Sequence, residues 1–125
     1  MNIIIKVIPH RKQRYETAGD WFWKRDTLHI RVSSMGDWRY EALVAVHELV
    51  EVLLCEHDGV TQKEVDKFDI GFEKSREPDN TDEPGDETCA PYVAQHCIAT
   101  GIERVMAANL GVSWKEYEDE LNALP

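Results

Sequence analysis

The N-terminal third of the chain is built of short apolar runs with the spacing of β-strands. A β-branched run occupies residues 3–8, and two more runs, residues 21–23 and 27–33, flank a polar turn. In the last run, apolar side chains fall at every second position, which is typical of a strand with one buried face. The pattern predicts a β-rich part over residues 1–34: an N-terminal strand and a hairpin that form a small antiparallel sheet.

Beyond residue 36 the apolar positions recur with helical spacing. Capping residues precede three of the predicted helices, and a proline suits the first turn of the other. These helices span residues 37–57, 61–74, 91–110 and 113–122. Strands come first and helices after, so the prediction is one α+β domain over residues 1–125, with a small sheet packed against three or four helices.

Residues 76–90 separate the second and third predicted helices. They contain two prolines, one glycine and six acidic residues. This composition predicts a solvated loop, long enough to act as a lid over a neighbouring site.

Charge and composition exclude several classes of function. A formal net charge of -10 disfavours nonspecific nucleic-acid binding, which depends on Lys and Arg neutralising phosphates. No apolar run approaches the ~20 residues of a membrane helix, so no membrane partner is expected. Cys55, Cys89 and Cys97 are an odd number of cysteines without a secretion signal, which favours reduced thiols in a cytoplasm. We expect them to be small buried side chains rather than a zinc site with His57.

The most apolar predicted helix carries three ionisable side chains near its middle. Residues 41–54 are mostly Leu, Val and Ala, yet they include His47, Glu48 and Glu51. Burying a carboxylate without a partner is costly, and a bound metal ion is the most economical compensation. His47 and Glu51 are four residues apart and lie on one helical face, so both can bind the same ion. Glu48 lies about 100° round the helix, at the edge of that site.

The helix over residues 91–110 offers a further ligand. His96, Thr100 and Glu103 form a polar stripe on an otherwise apolar helix. A catalytic zinc ion commonly has three protein ligands and one open position. If the two helices pack together, His96 completes a set with His47 and Glu51. Glu103 then orients a histidine through its other ring nitrogen or serves as an alternative ligand.

The first of these helices resembles the His-Glu-x-x-His helix of zincin metallopeptidases, with Glu51 in place of the second histidine. The resemblance implies zinc as cofactor and a minimal zincin-like core. It also implies that Glu48 acts as general base on a zinc-bound water. By the same analogy, residues 28–32 would be the edge strand that holds an extended peptide substrate. The leading hypothesis is therefore a zinc-dependent hydrolase of the metallopeptidase type.

Three other interpretations remain open. In the first, Glu48 and Glu51 face solvent and His96 is a hydrogen-bonded core residue. In the second, the protein is a non-catalytic, metal-stabilised protein that binds a host protein. In the third, Asp66 and Asp69 join the glutamates in a magnesium site that resembles the all-α MazG nucleotide pyrophosphohydrolases.

Three segments resemble a family of short phage and prophage proteins. They are residues 8–23, residues 35–51 with Gly-Asp-Trp-Arg-Tyr-Glu and His-Glu-x-x-Glu, and the Asp-Glu-Pro-Gly-Asp run at residues 82–86. The resemblance implies expression inside a bacterial cell and a cytoplasmic location there. It implies no particular activity, so the site assignment depends on the residues themselves.

Overall fold

The computed structural model describes all 125 residues as three strands and four helices. In chain order these are β1 (Asn2–Ile8), β2 (Gly19–Lys24), β3 (Thr27–Ser33), α1 (Trp38–Asp58), α2 (Gln62–Lys74), α3 (Val93–Asn109) and α4 (Trp114–Asn122). Short 3₁₀ turns occur at His10–Lys12 and Pro84–Asp86. The predicted α+β class is confirmed.

The sheet has the order β1-β3-β2 and is mixed rather than antiparallel. β2 and β3 form the predicted hairpin, whereas β1 pairs with β3 in the parallel direction. This arrangement arises because β1 ends where β2 begins, at one end of the sheet, so the link between them only has to cross the end of β3. The Ser33 hydroxyl holds that link in place: it accepts a hydrogen bond from Gln13 and lies 2.8 Å from Nδ1 of His10.

The core extends from the sheet across α1 to the other helices. Leu28, Ile30 and Val32 point from β3 to the helical layer and are fully buried, and α1 packs over β2 and β3. The expectation that residues 28–32 form an edge strand is wrong, because β1 and β2 flank β3 on both sides.

The predicted capping residues of α1, α2 and α4 are confirmed. The side chain of Asp37 accepts a hydrogen bond from the amide of Arg39, and Thr61 and Ser113 cap α2 and α4 in the same way. α3 begins two residues later than predicted, at Val93. Its N-cap residue Tyr92 has φ -118° and ψ 23°, so Pro91 lies in a turn before the helix.

The cysteines differ in burial, so the expectation for them is wrong for two of the three. Cys55 is buried in the core, while Cys89 and Cys97 are exposed and all three thiols are free. Cys89 lies in the turn before α3, and Cys97 lies on its outward face. None of the helices is both long enough and apolar enough to cross a bilayer.

Candidate metal centre

Three side-chain donor atoms converge where α1 packs against α3. Nε2 of His47 lies 3.2 Å from Oε2 of Glu51 and 3.1 Å from Nδ1 of His96, and the same Nδ1 lies 3.0 Å from Oε2 of Glu51. Tetrahedral zinc with bonds of about 2 Å needs donors about 3.3 Å apart. The three atoms therefore have nearly the spacing at which one ion contacts all of them.

The packing of the two helices brings these residues together. His47 and Glu51 lie one turn apart on the face of α1 that meets α3. His96 faces them from the first turn of α3. All three are buried, with exposed fractions of 5–7%. The imidazole centroids are 4.7 Å apart, so residues 49 positions apart in sequence share one site.

The second nitrogen of each histidine contacts a carboxylate. Nδ1 of His47 lies 2.8 Å from Oε1 of Glu103, on the polar stripe of α3. Nε2 of His96 lies 3.0 Å from Oε2 of Glu83 and 3.1 Å from Oδ1 of Asp86. A carboxylate on the outer nitrogen fixes the ring and directs the other lone pair inwards, as in most metal-binding histidines.

Glu51 is held from its other side by the sheet. The indole Nε1 of Trp21, on β2, donates a 3.1 Å hydrogen bond to Oε1 of Glu51. One carboxylate oxygen is thereby fixed by the indole, which leaves the second oxygen directed at the two histidines.

Burial and mutual contacts strongly shift the pKa values of the three cluster residues. Burial lowers the pKa of His47, but hydrogen bonds to Glu103 and Glu51 outweigh it and raise that pKa to about 11. His96 behaves alike: Glu51 and Glu83 outweigh burial and raise its pKa to about 10. For Glu51, burial opposes ionisation, yet hydrogen bonds from both histidines lower its pKa to about 2. These pKa values favour the charged imidazolium form of both histidines at neutral pH, and a divalent ion would carry the same charge of +2.

Glu48 lines a cavity of about 370 Å³ that opens beside the cluster. Its side chain packs against the backbone of Gly19, where an added Cβ would lie 2.6 Å from Oε1 of Glu48. Burial, followed by the negative charge of Glu51, raises the pKa of Glu48 well above its usual value. Glu48 thus lies in the cavity wall, where the positive charges of His47 and His96 only partly offset the effects of burial and of Glu51.

The acidic loop contributes contacts that sequence reasoning missed. Its 3₁₀ turn places Glu83 and Asp86 against His96, and Gly85 is buried on the imidazole ring. Arg76 fixes the loop by donating to the carbonyl groups of Asn80 and Asp82. In the sequence, the Pro84–Gly85 pair indicates a tight turn, but nothing there indicates its contact with His96.

Glu83 also offers a second way to assemble a donor set. Donor atoms of His47, Glu83 and His96 lie within 4.8 Å of one another. The set with Glu51 is tighter, and its carboxylate is buried whereas the Glu83 side chain is 54% exposed. A buried His/Glu/His cluster that could hold a metal ion is therefore present, with Glu51 the better placed of the two carboxylates.

The aspartates of the magnesium interpretation have other partners. Asp66 accepts two hydrogen bonds from Arg14. Asp69, buried at the cavity wall, accepts hydrogen bonds from the hydroxyl groups of Tyr15 and Tyr92. Both carboxylates are therefore occupied by donors within the protein, which does not favour a magnesium site here.

No family model, curated protein or solved structure matches the chain. The chemistry of the site must accordingly be judged from its own geometry.

Proposed function

We propose that this protein is a zinc-dependent hydrolase with His47, Glu51 and His96 as metal ligands. The observation that carries the proposal is the mutual spacing of 3.0–3.2 Å between the three donor atoms. Zinc suits two imidazoles and one carboxylate, and three protein ligands leave a position open for substrate or water. Bound there, zinc would supply a polarising charge and a water with a pKa of about 7.

Glu48 is the proposed general base. It is adjacent to His47 in sequence and lines the cavity that a substrate must enter to reach the cluster. A nearby dication favours the ionised form of a carboxylate, so metal loading would lower the pKa of Glu48 and prepare it to accept a proton. A peptide or protein is the proposed substrate, because the spacing of His47, Glu48 and Glu51 on α1 resembles that of zincin metallopeptidases. The resemblance to phage and prophage proteins leads us to propose a bacterial cell as its setting.

Elemental analysis of protein purified without chelator tests the metal, with one zinc ion per chain expected. His47→Ala and His96→Ala should each lose it. His57→Ala is the matched control, because His57 is 85% exposed at the end of α1 and should leave zinc bound. Stoichiometric zinc in both cluster variants would refute the ligand assignment.

Glu48→Gln tests catalysis separately from metal binding. The variant should keep one zinc per chain but no longer cleave a peptide library. Cleavage is detected by mass spectrometry. Cleavage at the wild-type rate would exclude Glu48 as the base.

One observation favours a second candidate function, a metal-stabilised protein without catalysis. A donor atom of Glu83 lies within 4.8 Å of donor atoms of His47 and His96, and a fourth protein ligand would close the open position, as in structural zinc sites. Such a protein would use its metal for stability and bind a host protein. Glu83→Gln distinguishes the two functions, because Asp86 still contacts Nε2 of His96 in this variant. A catalytic site should therefore retain its zinc, whereas a closed four-ligand site should bind it much more weakly.

A further inference from the structure

The edge strand β1 presents an apolar face that no helix covers. Ile3, Ile5 and Val7 are in register with Leu28, Ile30 and Val32 of β3, so the two sets share the face that meets the helices. The β3 residues are fully buried, whereas those of β1 are 42%, 46% and 51% exposed. The helical layer thus ends at β3 and leaves one strand of the apolar face open.

The backbone of β1 is also unpaired along its outer edge. Its hydrogen bonds go to β3 and to the residues flanking β3, Asp26 and Ser34. The opposite edge of the sheet is partly used, because the amide of Trp23 donates to Gln62 and the carbonyl of Trp21 accepts from Arg14. An edge with free donors and acceptors beside exposed apolar side chains is a template for another strand.

The other face of β1 carries one basic residue, Lys6, between Ile4 and Ile8. Lys6 is in register with Arg31 of β3, whose guanidinium lies over the Phe22 ring, and neither forms an ion pair. Residues 1–34 contain seven of the 14 Lys and Arg but only three of the 24 Asp and Glu. A second copy of the sheet would bring like charges together, whereas an acidic partner would be attracted.

We propose that β1 binds an extended segment of a partner protein as a fourth strand, and that this segment alternates apolar and acidic residues. Its apolar side chains would pack beside Ile3, Ile5 and Val7, and its acidic side chains would lie near Lys6 and Arg31. Backbone hydrogen bonds give such an interaction its affinity, and the alternating side chains give it specificity. The metal centre lies beside β2, at the other edge of the sheet, so this surface is separate from the proposed active site.

Titration with synthetic peptides, followed by amide chemical shifts in ¹⁵N NMR spectra, tests the proposal. The probe is an end-capped octapeptide of alternating Val and Glu, and the comparison peptide alternates Val and Lys. We expect shifts concentrated in β1 and β3 with the first peptide, and at least tenfold weaker binding of the second. No binding of the acidic peptide, equal affinity for both, or shifts outside the sheet would overturn the proposal.

A pair of charge reversals makes the test specific. Lys6→Glu should weaken binding of the acidic peptide at least tenfold, while Lys74→Glu, the same change on α2, should alter it less than twofold. Both positions are exposed, and unperturbed amide spectra would show that both variants fold. Equal effects of the two reversals would contradict the proposal. A dimer detected by light scattering, with the amides of β1 at its interface in the NMR spectra, would also overturn it. The second copy would then occupy the edge. Peptide binding should persist in His47→Ala, so its outcome does not depend on the metal.

Discussion

Replacing Gly85 with alanine should weaken metal binding without changing any ligand residue. Gly85 is buried in the 3₁₀ turn of the acidic loop and packs flat on the imidazole of His96. A Cβ at this position would lie 2.4 Å from Cγ and 2.5 Å from Nδ1 of His96. Carbon atoms in contact are about 3.5–4.0 Å apart, so the ring or the turn must move by about 1 Å.

The size of that movement sets the expected effect. Metal sites tolerate deviations of about 0.2 Å in their bond lengths, and the atom displaced in Gly85→Ala is the proposed donor, Nδ1 of His96. Disturbing groups that orient a metal ligand typically costs 10–100-fold in affinity. We therefore expect a loss of zinc affinity in this range. Overpacking should in addition lower the free energy of unfolding by about 1–3 kcal/mol in the metal-free protein.

Zinc affinity measured by competition with a chromogenic chelator, together with urea denaturation in the absence of metal, provides the assay. Gly101→Ala is the matched control, because Gly101 lies within α3 and nothing lies within 4 Å of an added Cβ. The control should bind zinc normally and gain about 0.5–1 kcal/mol, since alanine favours a helix over glycine. Gly85→Ala with unchanged zinc affinity and unchanged stability would refute the reasoning that the turn positions His96.

Three further predictions follow from contacts around the cavity. Glu103→Gln removes the charge facing Nδ1 of His47 and should lower zinc affinity about tenfold in the same competition assay; equal affinity would contradict a role in orienting His47. Trp21→Phe leaves Oε1 of Glu51 without its donor and should cost about 1–3 kcal/mol in urea denaturation, so an unchanged midpoint would argue against this contact. Burial raises the pKa of Asp69 from 3.8 to about 7, so its stabilising contribution is complete below about pH 4 and is lost as the pH rises through 7. Relative to Asp69→Asn, the wild type should thus lose up to about 4 kcal/mol across that interval, and parallel stability curves for the two proteins would disprove the shift.

Periodicity explains why the central part of the candidate site could be predicted. Four-residue spacing places His47 and Glu51 on one helical face, and a second apolar helix with a polar stripe is where a buried His96 and Glu103 are expected. Packing of the two most apolar helices against each other follows from their composition, and it brings these residues into contact.

The remaining contacts depend on features that periodicity does not describe. The parallel pairing of β1 depends on the path of the link over the end of β3. The approach of Glu83 and Asp86 to His96 depends on how a loop without regular structure folds back. The residues around Glu83 and Asp86 are acidic and include proline, as is typical of a solvated loop. Only tertiary contacts distinguish a loop that remains in solvent from one that folds back on His96.

The contact between the loop turn and His96 links the order of residues 76–90 to the occupancy of the proposed metal site. In linked equilibria, ordering of the turn and binding of the ion change each other's equilibrium constants by the same factor. Any event that stabilises the ordered turn would therefore raise the affinity for the ion. Conversely, a cut or a competing contact in this stretch of chain would release the ion without reaching the buried ligands. The exposed acidic loop would thus be the segment through which the metal content of the proposed site is changed from outside.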